Sequence, residues 1–174
     1  PGATNLITGL ADAQIDSTPL VCITGQVAAH LLGTDAFQET DVVGISMPVT
    51  KWNIQVRRAE DIAPAIAKGF HIASSGRPGP VLIDITKNAQ TESGEFNYVP
   101  CLSIRSYRPY FEVKKDEVQK AAQLINAAQR PYVLYGQGVV IGKAEAELKA
   151  FLDKTGIPAA CTLLGSGAIS EEHP

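Results

Sequence analysis

Apolar and polar positions along the chain fall into two stretches of alternating helix and strand signals, separated by a less regular segment. Leu6, Leu10 and Ala13 recur at helical spacing, with Thr4 placed to cap the helix they predict. Pro19 to Thr24 is a short, nearly continuous apolar run that stops at Gly25, the pattern of a strand buried on both faces. Residues 60–73 then read as a helix through Ile62, Ile66, Phe70 and Ala73. Gly76-Arg77-Pro78-Gly79 ends it, and Pro80 to Ile85 is a second buried strand. Strands alternating with helices predict parallel pairing through crossover connections, and hence an α/β fold.

Residues 87–113 show no clear period and read as a linker. Phe96, Tyr98, Tyr107, Tyr110 and Phe111 lie in it, and that many aromatic rings predict a segment laid against a surface. Beyond it, residues 115–128 place Val118, Ala121, Ala122 and Ile125 on one helix face. Tyr132 to Tyr135 predicts a strand, Gly136-Gln137-Gly138 a turn, residues 143–154 a helix, and Ile157 to Thr162 a strand. That is a single βαβ unit, too little to close a core of its own.

Composition narrows the function classes. The chain is 45% hydrophobic and 19% charged, with net charge −3, which fits a globular protein and argues against disorder. No basic field suited to nucleic acid is present, and no apolar run approaches the roughly 20 residues that span a bilayer. Cys22, Cys101 and Cys161 are odd in number, far apart and without ligand spacing. They read as buried reduced thiols of a cytoplasmic protein rather than as disulfides or zinc ligands. His30, His71 and His173 form no recognisable pair or triad.

Several residues carry candidate chemistry, each with a plainer alternative beside it. Gly136-x-Gly138 follows a strand and precedes a helix, a context in which backbone N–H groups approach phosphate; its GxGxxxG spacing to Gly142 equally suits an ordinary tight turn. Pro1 to Asn5 feeds a helix N-terminus and reads as a ligand-facing turn or a simple cap. Gly33-Thr34-Asp35-Ala36-Phe37-Gln38-Glu39-Thr40 surrounds one aromatic with polar groups, as pocket-lining loops do. Its alternative is a short helix capped through Asp35 and Gln38, with Phe37 in the core. Arg77 sits on a stiff turn suited to holding an anion, or is a solvated surface arginine. Lys87 follows a buried strand at the end where α/β ligands bind, or is simply exposed.

Taken together, these motifs resemble the catalytic subunits of the acetohydroxyacid synthase (acetolactate synthase) family, which are thiamin-diphosphate enzymes. The resemblance rests on PGATNLITGLADAQIDSTPLVCITGQV at 1–27, GTDAFQET at 33–40, SGRPGPVLIDITKNAQ at 75–90 and GIPAACTLLGSGA at 156–168. GTDAFQE favours the biosynthetic synthase over its catabolic cousin and over other decarboxylases and oxidases of the superfamily. The resemblance implies two partial three-layer lobes with mainly parallel sheets. Residues 1–86 would be the later part of a pyrimidine-binding domain, 87–113 a linker, and 114–174 the opening of a Rossmann-like central domain.

By the same resemblance, Pro1, Asn5 and Gln38 would face the thiamin pyrimidine ring. Phe37 and Lys87 would line the substrate entrance, where synthase-directed herbicides also bind. Arg77, Gly136, Gln137, Gly138, Thr162 and Leu163 would contact FAD, which is structural in this family. The family's catalytic glutamate and its Mg²⁺–diphosphate motif match nothing in residues 1–174, so the chain alone is expected to be inactive. Ala28 stands where the family commonly has a proline after GQV, and Pro48 and Trp52 flank a retained Lys51 in an unusual way. The implied activity is condensation of two 2-oxoacids with loss of CO₂, in branched-chain amino-acid synthesis. The implied partners are further copies of the chain and a small regulatory subunit, with no nucleic acid and no membrane. A stand-alone nucleotide-binding module and another thiamin-dependent decarboxylase or oxidase are the alternatives.

Overall fold

The computed structural model describes residues 1–173 and divides into two compact units, 1–111 and 112–174. In the first unit, a 3₁₀ turn over Ala3–Leu6 runs into α1 (Ile7–Ile15), followed by β1 (Leu20–Gln26), α2 (Val42–Ser46) and β2 (Trp52–Val56). Next come α3 (Ile62–Ser74), β3 (Pro80–Thr86) and α4 (Lys87–Thr91). The three strands form a parallel sheet in the order β1-β3-β2. Every residue of β3 is buried, Asp84 and Thr86 included, as befits a mostly apolar central strand covered on both faces.

Alternation along β3 divides the core between two helical layers. Val81, Ile83 and Ile85 face α3 and meet Ala65, Ile72 and Ala73. Leu82 faces the other way and packs with Leu10 of α1 and Val42 of α2. The α3 layer lies close to the sheet because its contact face is small: a Cβ added at Gly69 would come 3.1 Å from Ile83 Cδ1. Phe70, expected on that face, is instead 57% exposed. Pro64 falls in the first turn of α3, where its missing N–H breaks no helical bond. At the other end the Lys51 ammonium donates to the carbonyls of Ile72 and Ser75 (2.8 Å to the latter) and to the Tyr107 hydroxyl (3.0 Å). Lysine thus satisfies carbonyls that the helix terminus leaves open.

Several expectations are corrected. Thr4 caps nothing; its hydroxyl donates back to the Pro1 carbonyl (2.7 Å), so the turn closes on itself. Residues 33–40 contain no helix and Phe37 is outside the core. The segment read as a linker opens with α4, and of its aromatic rings Tyr107 docks on Lys51 and His71, while Phe96, Tyr110 and Phe111 are exposed. The cysteines are free, but Cys161 is exposed and Cys22 and Cys101 only half-buried.

The second unit comprises α5 (Lys115–Ala127), β4 (Val133–Tyr135), α6 (Gln137–Ile141), α7 (Glu145–Thr155) and β5 (Ala159–Cys161). β4 and β5 pair in parallel, with Val133 opposite Ala159 and Tyr135 opposite Cys161. Gly138 is not in a turn but inside α6, for which Gly136 is the N-cap. Gly156 ends α7 in the left-handed conformation (φ 61°), where its N–H reaches the Leu152 carbonyl. Among the described residues no helix is long and apolar enough to cross a membrane.

The close α3–sheet contact gives a stability test. Gly69→Val should lower the unfolding free energy by about 1–3 kcal/mol, read from urea denaturation, because both γ-carbons must enter an already tight contact. Gly69→Ala should stay near the parent, since about 1 kcal/mol of helix propensity offsets its milder crowding.

Candidate functional site

A cavity of about 1000 Å³ opens at the C-terminal ends of β1 and β3, the usual ligand position in a parallel sheet. Three segments build it. The first turn contributes Pro1 to Thr4 and Leu6, the end of β1 contributes Thr24, Gly25 and Gln26, and the start of α4 contributes Lys87, Asn88 and Thr91. The loop carrying Phe37 and Gln38 forms a further wall.

That loop is held in a conformation its sequence does not favour. Gly33, Asp35 and Gln38 all have positive φ (79°, 56° and 66°), and two of these are not glycine. The Glu39 carboxylate closes the loop by accepting the backbone N–H groups of Gly33 and Ala36 (3.1 Å for the latter). The Gly33 N–H above all, helped by the other loop amides and opposed by slight desolvation, holds the Glu39 carboxyl below the ordinary glutamate range. A second fastening comes from the sheet: Gln26 Nε2 donates to the Thr40 carbonyl (2.7 Å). The outcome is a fixed loop that leaves the Phe37 ring 88% exposed at the cavity.

Asn88 performs a similar task on the opposite wall. Its Oδ1 accepts the Ala29 N–H (2.8 Å), and its Nδ2 donates to the Arg57 carbonyl (2.9 Å) and Glu92 (2.8 Å). Ala28 and His30 lie along this wall. Lys51 is turned into the end of α3, and Trp52 packs beneath Lys68, whose ammonium lies 4.7 Å from the ring centre.

Of the residues expected to act here, the cavity brings together Pro1, Phe37, Gln38 and Lys87. Asn5 sits on the same first turn, exposed and outside the lining. Arg77 is elsewhere: its Nε donates to Ser17 Oγ (2.8 Å) and its Nη2 to the Ile15 carbonyl (2.9 Å), tying down the end of α1. Sequence reasoning misses Gln26, Asn88 and His30. The signal for the first and second is position, since each stands within two residues of a strand's C-terminal end.

In the second unit, Gly136, Thr162 and Gly165 meet at the C-terminal ends of β4 and β5. Thr162 N–H donates to the Tyr135 carbonyl (2.8 Å), and a Cβ at Gly136 would lie 3.0 Å from Thr162 Oγ1. A Cβ at Gly165 would reach 2.8 Å from the Gly136 Cα, so two backbones touch here. Packing therefore explains Gly136 and Gly165 but not Gly138, whose Cβ would meet nothing within 4 Å. Gln137 opens α6 beside it, and Leu163 is 88% exposed. Among the described residues no three His, Cys, Asp or Glu side chains group closely enough to hold a metal ion.

Comparison with known proteins places these features. Residues 1–45 match the thiamine pyrophosphate enzyme N-terminal TPP binding domain, and residues 118–174 match the thiamine pyrophosphate enzyme central domain. The chain is 48% identical over 173 residues to the acetolactate synthase large subunit of Corynebacterium glutamicum, covering 99% of this chain and 28% of that protein. It is 45% identical over 174 residues to the Escherichia coli acetolactate synthase isozyme 1 large subunit, covering all of this chain and 30% of the relative. Isozyme 2 of the same organism is also 45% identical, with 31% of its length covered. The chain thus spans about three tenths of the length of these relatives.

The Glu39 fastening gives a pH test with a defined sign. Its folded value is lowered, so the fastening is complete above the ordinary glutamate range and is lost as pH falls through the depressed value. The amide resonances of Gly33 and Ala36 should shift together in an acid titration, with a midpoint below that of an unstructured glutamate. Glu39→Gln should abolish this transition and leave one of the two amides unbonded at neutral pH, because an amide oxygen replaces only one carboxylate oxygen. With two consecutive domains of one family matched and 45–48% identity to its synthases over nearly all of its length, the chain belongs to the thiamine pyrophosphate enzymes.

Proposed function

We propose that this chain is the cofactor-facing and central segment of an acetolactate synthase large subunit. The enzyme would condense pyruvate with a second pyruvate or with 2-oxobutyrate, releasing CO₂, in branched-chain amino-acid synthesis. The observation that carries this reading is the fastened 33–40 loop, which holds an exposed Phe37 and the Gln38 amide at a cavity on the strand ends. A protein does not keep a large aromatic ring in solvent on a strained, doubly tied loop for packing; such strain is characteristic of ligand-binding segments.

The domain boundaries read from sequence are proposed with it: 1–86 to the pyrimidine-binding domain, 87–113 to a linker, and 114–174 to the central domain. The cavity fits a heteroaromatic ring, since it combines the apolar surfaces of Leu6, Ile23 and Leu31 with a few convergent polar groups. When bound, thiamin diphosphate supplies the electron sink that lets CO₂ leave a 2-oxoacid. Pro1 and Gln38 would wall the pyrimidine ring, with Asn5 on the adjoining turn. Phe37 would shield the reacting carbon from water and pack against the substrate's alkyl group. The Lys87 ammonium would draw the carboxylate of an incoming 2-oxoacid to the mouth.

FAD would be held by Gly136, Gln137, Gly138, Thr162 and Leu163. The open space beside Gly138, which no packing demand explains, supports a backbone approach to a dinucleotide there. Arg77, in the first unit, uses two of its five N–H donors on Ser17 and Ile15, leaving three for an anionic group such as a cofactor phosphate. Mg²⁺ is assigned to no residue of this chain. Self-association, a small regulatory subunit and a cytoplasmic setting, which suits three free thiols, complete the proposal.

The protein expressed from its complete gene should form acetolactate from pyruvate when supplied with thiamin diphosphate, Mg²⁺ and FAD. Phe37→Ala and Gln38→Ala should each lower kcat/KM by about tenfold or more, the equivalent of at least 1.4 kcal/mol of lost transition-state contact. Release of CO₂ without acetolactate would instead identify a different thiamin-dependent decarboxylase. FAD or ADP binding with no turnover of 2-oxoacids would identify a nucleotide-binding module.

A further inference from the structure

Asp84 is fully buried on the central strand, where three neutral side chains donate to it: Thr24 Oγ1 (2.7 Å), Gln26 Nε2 (3.1 Å) and Gln55 Nε2 (3.3 Å). It does not line the cavity. Gln26 does, and its amide is oriented by two backbone groups whose donor and acceptor roles are fixed. The Val27 N–H donates to Gln26 Oε1 (2.9 Å), and the Thr40 carbonyl accepts from Gln26 Nε2 (2.7 Å). The end of Gln26 that meets Asp84 is therefore the NH₂ group, with one hydrogen directed to the carboxylate and one to Thr40. Only an acceptor at position 84 is compatible with that arrangement.

We infer that Asp84 is a positioning residue for the cavity: it anchors the Gln26 amide, whose orientation the Val27 N–H and the Thr40 carbonyl fix, and so ties Thr40, and through Thr40 the loop bearing Phe37 and Gln38, to the central strand. The catalytic consequence rests on the functional reading above; the mechanical link does not. A carboxylate accepts at both oxygens, whereas asparagine would turn an NH₂ toward either Gln26 or Thr24. Facing Thr24, whose hydroxyl can also accept, the amide keeps its oxygen on Gln26 and the fastening survives; facing Gln26, it sets donor against donor. Asp84→Leu removes the acceptor altogether, so the loop loses its sheet-side anchor while Glu39 still closes it locally.

The test compares Asp84→Leu, Gln26→Met and the double variant Asp84→Asn/Gln26→Glu in the protein expressed from its complete gene. In the double variant the amide introduced at position 84 can donate to the carboxylate introduced at position 26, restoring the buried pair. That carboxylate, however, has no hydrogen to donate to the Thr40 carbonyl. Hydrogen exchange of amides 34–39 should quicken about tenfold in all three, the effect of one hydrogen bond. The unfolding temperature of the double variant should recover toward the parent without slowing of loop exchange, and kcat/KM should follow the loop rather than the unfolding temperature. Exchange that stays at the parent rate in Asp84→Leu or Gln26→Met would reduce Asp84 to a core group and overturn the inference. So would loop exchange that recovers in the double variant. If the parent forms no acetolactate, the functional reading falls, while the exchange comparison still decides the link from Asp84 to the loop.

Discussion

A carboxylate buried at the centre of a parallel sheet is the constraint on which the rest of the first unit depends. Leaving one of its oxygens without a donor would cost about 1–3 kcal/mol or more, so its neighbours must supply hydrogen bonds. They do so in register: Thr24, Asp84 and Gln55 lie side by side on β1, β3 and β2. Because side chains alternate across a strand, slipping either neighbour by one residue would aim these donors at the α3 layer and bring Ile23 or Ile54 beside the carboxylate. The apolar contacts of Ile83 and Leu82 make the sheet stable, and the polar cluster makes one register of it better than the others.

The same cluster explains why the sheet ends in a cavity rather than in more core. Three of its members, Thr24, Gln26 and Gln55, lie in the C-terminal halves of their strands, and the face they occupy becomes polar where the α1 and α2 contacts with Leu82 stop. Polar groups there connect outward through Gln26 to the 33–40 loop, much as Asn88 connects α4 to the 28–31 segment. A loop with three positive φ values and an exposed phenylalanine is poorly stable by itself. It persists because Glu39 ties it locally and the strand ties it globally.

The uneven legibility of the sequence follows from these facts. β1 and β3 are readable because each is a nearly continuous apolar run closed by glycine, proline or lysine. β2 carries no such run: Trp52, Ile54 and Val56 face the α3 layer, while Asn53 and Gln55 between them face the polar cluster and bond Ser46 and Asp84, so only the alternation marks it as a strand. The pattern of α3 is right at Ile62, Ile66 and Ala73 and fails at Phe70: that ring carries more hydrophobicity than Gly69, but closeness to Ile83 favours the residue without a side chain. In the loop, the Asp35–Gln38 spacing imitates a capping box, whereas the acid that fastens it is Glu39, reaching back to an N–H six residues earlier. The cavity residues found from sequence come mostly through family resemblance; local rules alone leave Phe37 between a pocket wall and a core, and Lys87 between a ligand site and a bare surface.

The strand ends, where parallel sheets commonly receive ligands, are built by different chemistry in the two units. In the first, the groups there are side chains hydrogen-bonded to a buried acid. In the second, β4 passes through Gly136 into α6 and β5 through Thr162 into a 3₁₀ turn, and Gly136 and Gly165 approach so closely that a methyl group would collide with backbone. Side-chain networks fix direction, which suits a site that must hold a reacting group at a defined angle. Backbone packed on backbone leaves little room for side chains, which suits a ligand approached by main-chain groups. This division follows from the residues at the strand ends themselves, and it is what the proposal of a catalytic cofactor in the first unit and a structural one in the second requires.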